Sequence, residues 1–505
     1  MEKKLLEELK VRIKEVKDLE SAASVLYWDQ ATYMPAGGAE ARARQIATVS
    51  KIAHEKFIDP SLGKLLDQLH AHEKSLPYDS LDASVIRIAR QDYEKATKLP
   101  SSFVEELSNH QSQCYQIWTK ARPANDFALV RPYLEKTLEL SWKYADFYSG
   151  YEHIADPLID QNDQGMKVSI LGPLFEQLRN QLVPLAHKIA EKPVPDDSCL
   201  TRTYPESEQT AFIVNLIKHL GYDFNRGRLD RTPHPFSISF SINDVRITNR
   251  IDENYLSGAF FSTIHESGHA MYEQNINKDF EGTFLAQGAS MGIHESQSRL
   301  WENIVARSFN FWHFFYPRLQ ETFPEQFKSL PINDFYRAIN KVVPSLIRTD
   351  ADEVTYNLHV IMRFDFECAM LEGVLSVKDL PEAWRERFRQ DLGIVPPDDK
   401  DGVLQDIHWY YGKIGGAFQG YTIGNILSAQ FYDAALRAHP EIPDEISQGN
   451  FETLRNWLIK NIYHHGRVYA PEQIVEHATG SSLSVEPFIN YLKGKFGQLY
   501  GISGL

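Results

Sequence analysis

The chain has 505 residues and a mass of 58.0 kDa, beyond the roughly 50–250 residues of one ordinary domain, so two lobes around a large core are expected. Its 43% hydrophobic and 24% charged residues, with a mean hydropathy of -0.38, exclude a disordered chain and a multi-span membrane protein. With 68 acidic against 53 basic residues and a net charge of -15, its field repels polyphosphate and anionic lipid, which argues against sequence-independent nucleic-acid binding and against a membrane partner.

The first residues, M-E-K-K-L-L-E-E, are charged on both sides of their leucines and contain no apolar leader segment. No run of about 18 apolar residues occurs. Cys114, Cys199 and Cys368 are odd in number, far apart and without C-x-x-C spacing, so neither a disulfide framework nor a thiolate metal site is expected. Together these features predict a reducing compartment and a cytoplasmic protein.

Leu5, Leu9, Ile13, Val16 and Leu19 recur at three- and four-residue intervals among lysines and glutamates, which predicts an amphipathic helix with one apolar stripe. Helical patterning continues along most of the chain, broken by polar loops at 193–198 and 396–402. A further helix is predicted over 205–221, with Glu206 and Glu208 in its first turn, Ile213, Leu216, Ile217 and Leu220 as its stripe, and Gly221 closing it. Strand patterning is confined to one region. Phe236, Ile238, Phe240 and Ile242 alternate with Ser237, Ser239 and Ser241, and Asn243-Asp244 offers a two-residue turn into Val245, Arg246, Ile247 and Thr248. The expected fold is therefore mainly α, a large helical body with a small β-hairpin near its middle.

Directly after the hairpin, residues 265–269 read H-E-S-G-H. On a helix, His265 and His269 lie one turn apart on the same face, where both imidazoles can share a zinc ion. Glu266 projects beside them as a general base able to take a proton from the attacking water. Gly268 is unfavourable inside a helix by about 1 kcal/mol relative to alanine, which is explained if a neighbouring backbone must approach closely.

A catalytic zinc needs a third protein ligand. Tyr272 and Asn275 stand where an H-E-x-x-H-x-x-G-x-x-H pattern would carry glycine and histidine, so another segment must supply it. Residues 292–302 form a predicted second helix offering Glu295, with His294 and Glu302 as competing readings. An E-x-x-x-D pattern would place aspartate at 299, where this chain has Arg299, so the partners that orient the histidines stay unassigned. Farther on, Asp350 is a candidate helix cap, with Glu353 completing a capping-box-like pattern before Val354, Leu358 and Ile361.

The chain reads W-D-Q-A-T-Y-M-P at 28–35, H-P-F at 234–236, D-V-R-I-T at 244–248, H-E-S-Q at 294–297, I-R-T-D-A-D at 347–352 and G-V-L-Q-D-I-H-W at 402–409. With the H-E-x-x-H these resemble, in order and over most of the length, the motifs of the carboxypeptidase Taq family of zinc metallocarboxypeptidases. The pattern departs at 415–421, where G-G-A-F-Q-G-Y stands for the family's G-Y-F-P-T-Y and is one residue longer.

The resemblance implies a zincin-like helical domain spanning 1–505 as one bilobal unit with a deep cleft, a tendency to homodimerise, and release of single residues from peptide C-termini with broad specificity and proline disfavoured. It implies one Zn²⁺ per protomer on His265, His269 and Glu295, replaceable by cobalt or manganese. It also favours Arg348 as the anchor of the substrate's terminal carboxylate, which a guanidinium fork fits bidentately, over simple pairing with neighbouring acids. His408 and Tyr421 are candidate oxyanion donors, beside the plainer readings of a core histidine and a packed tyrosine. His234 and Arg246 are candidate substrate contacts, although Arg246 with Asp244 can equally brace the turn, and the hairpin edge can pair with an extended peptide. Competing functions are a zinc oligopeptidase or dipeptidyl carboxypeptidase, and a non-catalytic metal-containing peptide-binding protein.

Overall fold

The computed structural model describes residues 2–502. The N-terminal stripe forms the helix Glu2–Thr32, burying Leu6, Leu9, Ile13 and Val16 while Leu5 and Leu19 stay half-buried. Leu6 takes the inward position because it lies three residues before Leu9 and seven before Ile13, on the same face. The segment predicted over 205–221 is the helix Glu206–Leu220, and Gly221, at a φ of +121°, ends it. Both predicted polar loops remain outside long helices.

One small sheet accompanies the helices, made of β1 (Leu229–Arg231), β2 (Ser237–Ser241) and β3 (Asp244–Asn249) in the order β1-β3-β2. The expected hairpin is β2 with β3, antiparallel, with Ser237 opposite Ile247 and Ile238 opposite Arg246. Its turn differs from the expected Asn243-Asp244. Ser241 pairs with Asp244 after a register irregularity, which leaves Ile242 and Asn243 at the corner. Ile242 is drawn inward there, at 2% exposure, so burial of this side chain overrides the preference for a polar turn. The parallel strand β1 was not predicted, being three residues long with no alternation to reveal it.

The cap expected at Asp350 is also displaced. Asp350 ends a short 3-10 turn, and the following helix runs Tyr356–Leu371. Asp352 instead accepts from the amides of Val354 and Thr355 and the Thr355 hydroxyl. Glu353 is committed elsewhere, to a buried ion pair with Lys495 at 2.6 Å.

Buried apolar side chains from Leu6 to Tyr500 form one continuous cluster. Within it β3 packs on the motif helix Leu256–Gln274, which packs on the glutamate helix Met291–Arg299, which in turn packs on the covering helix Gln419–Ala438. The C-terminal helix Glu486–Tyr500 lies against the covering helix and against Val168–Ala190.

Candidate metal centre and active site

Two helices meet at the H-E-x-x-H with almost no side chain between them. A Cβ at Gly268 would lie 2.7 Å from the Gln297 carbonyl oxygen and 2.8 Å from Ser298 Cα. The glycine is therefore where the glutamate helix makes its close approach, as the sequence leads one to expect. On its other side, a Cβ at Gly424 would come within 2.5 Å of Glu295 Cγ, so the covering helix also closes on the site through a glycine.

This packing brings His265, His269 and Glu295 together, with one ligand atom from each all within 4.8 Å of one another. Glu295 Oε2 is 3.6 Å from His265 Nε2 and 3.3 Å from His269 Nε2. Each imidazole is held from behind through Nδ1. That of His265 meets Glu302 Oε2 at 2.9 Å, and that of His269 meets the His294 carbonyl oxygen at 3.1 Å. A carboxylate and a carbonyl only accept, so both Nδ1 atoms carry protons, and the Nε2 atoms of both rings face one Glu295 carboxylate oxygen. Such a convergence is repulsive unless a proton or a cation sits within it. Two imidazoles and one carboxylate are also the donor set of a catalytic zinc, so the residues fit the group.

The other two ligand readings fall to supporting positions. His294 points its Nε2 at Glu273 Oε1, 3.0 Å away, and stacks on the His269 ring at 4.4 Å. Glu302 lies in a π-helical segment, Leu300–Val305, that continues the glutamate helix. Arg299 binds both acids, with Nε donating to Glu295 Oε1 at 2.7 Å and Nη1 donating to Glu302 Oε2 at 3.3 Å. Where an aspartate was looked for, an arginine thus fixes two carboxylates at once. Burial would push the Glu302 carboxyl up, but Arg299 and the His265 hydrogen bond bring it down to about 2. Burial likewise opposes ionisation of Glu295, and Arg299 and His265 overcome it, holding that carboxyl well below the usual range.

Glu266 has no such support. It is 8% exposed, and burial, only partly offset by His265, pushes its carboxyl up to about 7. A group poised near neutrality can both take and return a proton.

Arg348, 7% exposed, extends Nε and Nη2 to the two oxygens of Asp406 at 2.6 and 3.2 Å and Nη1 to the Tyr356 hydroxyl at 3.0 Å. The fork that a substrate carboxylate was expected to fill is thus occupied by Asp406. Three of its five N–H groups are engaged, and two remain. Asp406 also accepts from His408 Nδ1 at 2.6 Å, and His408 Nε2 receives the Tyr421 hydroxyl at 3.0 Å. His408 and Tyr421 are therefore direct partners, tied to Arg348 through one carboxylate. Arg363, fully buried, places Nε 3.2 Å from the same Asp406. It was missed by the sequence reading, although an arginine within the apolar run of Tyr356–Leu371 was the available sign.

The remaining candidates lie apart from these contacts. Arg246 pairs with Asp244 through two 2.8 Å bonds and rests over the Trp28 ring at 4.6 Å, an arrangement that braces the hairpin against the first helix. His234 is exposed in the loop before β2 and makes no side-chain hydrogen bond among the described residues.

Known proteins resemble this chain over nearly its whole length. The "Thermostable carboxypeptidase 1" of Thermus thermophilus is 40% identical over 495 residues, covering 96% of both chains. "Carboxypeptidase 1" of Bacillus subtilis is 37% identical with 97% of each covered. The crystal structure of the M32 carboxypeptidase from Deinococcus radiodurans R1 superposes with a TM-score of 0.96 at 46% identity, over 99% of this chain and 100% of that one. With the family model described as "Carboxypeptidase Taq (M32) metallopeptidase" matching residues 8–496, the chain belongs to that family and is a metallocarboxypeptidase.

Proposed function

We propose that the protein releases single C-terminal residues from peptides in a zinc-dependent reaction, with broad specificity and proline disfavoured. It would do so as one bilobal domain, as a cytoplasmic homodimer holding one Zn²⁺ per protomer. The carrying observation is the convergence of the His265, His269 and Glu295 lone pairs beside the buried Glu266. His265, His269 and Glu295 hold the zinc, which cobalt or manganese can replace. When bound, the metal supplies Lewis acidity to the scissile carbonyl and the attacking water.

Glu266 Oε takes the proton of that water and passes it to the leaving amine. The single Tyr421 hydroxyl proton is given to His408 Nε2 at rest; turned from that nitrogen it is the donor offered to the developing oxyanion, while Asp406 holds the His408 Nδ1 proton. Arg348 uses its two remaining N–H groups on the terminal carboxylate. The peptide lies extended along the free edge of β2, with His234 and Arg246 at its flank. Broad specificity follows, because backbone pairing does not read side chains.

Products of a mixed peptide pool, analysed by mass spectrometry, test the reading. Single free amino acids are expected, and dipeptide products would point instead to a dipeptidyl carboxypeptidase. Chelation should abolish hydrolysis and zinc restore it. Glu266→Gln should retain metal while losing several orders of magnitude in kcat, since the amide cannot accept the proton.

A further inference from the structure

Beside the His408 and Tyr421 pair opens a pocket of about 340 Å³ whose wall includes Asn162, Met291, Tyr411 and Lys413. Much of it is built by the segment that departs from the family pattern. Gly415 and Gly416 turn there at φ of +105° and +72°, and the Asn162 amide donates to the Gly416 carbonyl at 2.7 Å. No aspartate or glutamate lines this pocket, in a chain with fifteen more acids than bases. Two other cavities of similar size carry several acids each.

Lys413 is the one fixed cation on this wall. Among the described residues it makes neither an ion pair nor a hydrogen bond, and its ammonium lies over the Tyr144 ring, 4.6 Å from the centroid. It is also withdrawn from solvent, and burial lowers its pKa. The ring face offsets part of the cost of withdrawing this ammonium from water, but no counter-charge does, so an anion that enters the pocket gains a partner. The wall also offers the second N–H of the Asn162 amide, and apolar surface from Met291 and Tyr411 for the stem of a side chain. Arg348 does not line it, so an anion here is distinct from a carboxylate held by Arg348.

We propose that Lys413 makes this pocket a subsite for an acidic side chain, aspartate or glutamate, of a peptide residue flanking the scissile bond. The inference rests on the reading that places His408 and Tyr421 beside the reacting carbonyl, and it adds a preference to an otherwise unselective site. Lys413 is thereby a specificity-determining residue.

The test uses the metal-loaded full chain and pairs of peptides that differ only by glutamate or glutamine, at the last or next-to-last residue, all with free C-termini. The glutamate peptide should be favoured in kcat/KM by on the order of tenfold at one of the two positions. Lys413→Met should bring that ratio to about one, and Lys413→Arg should keep most of it. Equal rates for both peptides in the wild type would overturn the proposal without any variant. So would a Lys413→Met protein that slows both peptides alike with the ratio intact, because Lys413 would then serve the terminal carboxylate or the fold. Failure of the wild type to cleave any peptide would strike the carboxypeptidase reading instead, and the subsite with it.

Discussion

Glu302 lies outside the candidate donor set of His265, His269 and Glu295, yet it orients one of its members. Its carboxylate receives the His265 Nδ1 proton and the Arg299 guanidinium, and Arg307 stands 3.6 Å from its other oxygen. The His265 ring is thus fixed in both tautomer and direction. Glu302→Gln can still accept one hydrogen bond, but it lacks the charge that raises imidazole basicity and that the two arginines neutralise. We expect zinc affinity to fall by about 10–100-fold while the helical circular dichroism stays unchanged. Competition with a chromophoric chelator measures it, and wild-type affinity in Glu302→Gln would reduce this residue to a packing role.

The same residues mark the limit of sequence reading. The four-residue spacing of His265 and His269 was legible because only the helical period is needed to converge them. Glu295 was not separable from His294 and Glu302 by spacing alone, since all three lie within nine consecutive positions. What separates them is the rotation of the glutamate helix, set by packing against two neighbours. The consequence is that His294 offers its carbonyl oxygen and its ring face to His269, and Glu302 stands behind His265. Arg348 was singled out through the family resemblance, whereas its pairing with Asp406, 58 positions away, is a tertiary contact that no local pattern contains.

At the scale of elements, the site depends on helices brought closer than ordinary side chains allow. Gly268 admits the backbone of Gln297 and Ser298, and Gly424 admits the Cβ and Cγ of Glu295. The first was legible, since a helix-interior glycine in a metal motif asks for a reason. The second was not singled out, although Tyr421 lies three residues before it on the same face of the covering helix. Gly424→Ala should displace Glu295, because its Cβ would overlap backbone-anchored atoms of a buried helix with no open space to yield. The expected result is a folded protein with markedly weakened zinc binding. Gly494→Ala, where a Cβ would meet nothing within 4 Å, is the matched control and should gain slightly from helix propensity. Metal content by mass spectrometry after dialysis distinguishes the two, and equal zinc retention would mean that the covering helix can shift without cost.

Over the whole molecule, the helix Glu486–Tyr500 contacts the segment that carries Arg348 at two places. Lys495 reaches from Glu486–Tyr500 to Glu353 at 2.6 Å, with only 6% and 5% of the two side chains exposed. Tyr500 accepts the Val342 amide proton at 2.8 Å. Glu353 lines the same cavity as Arg299, Glu302 and Tyr356, so the helix Glu486–Tyr500 reaches the surroundings of the candidate metal residues although it contributes none of them.

Burial pulls the Lys495 ammonium's pKa down and Glu353 counters it, so each charge is tolerable chiefly because the other is there. Lys495→Met should therefore leave an uncompensated buried carboxylate and destabilise the fold by about 3–5 kcal/mol. Glu353→Gln alone should also destabilise, by stranding the ammonium. Lys495→Met combined with Glu353→Gln should recover most of the loss, because neither charge then remains without its partner. Urea unfolding of the four proteins, followed by circular dichroism at fixed zinc concentration, gives the coupling. If the two single losses simply add in the double variant, the pair is not what ties the last helix to the Arg348 segment, and the Tyr500 contact with Val342 must carry that connection.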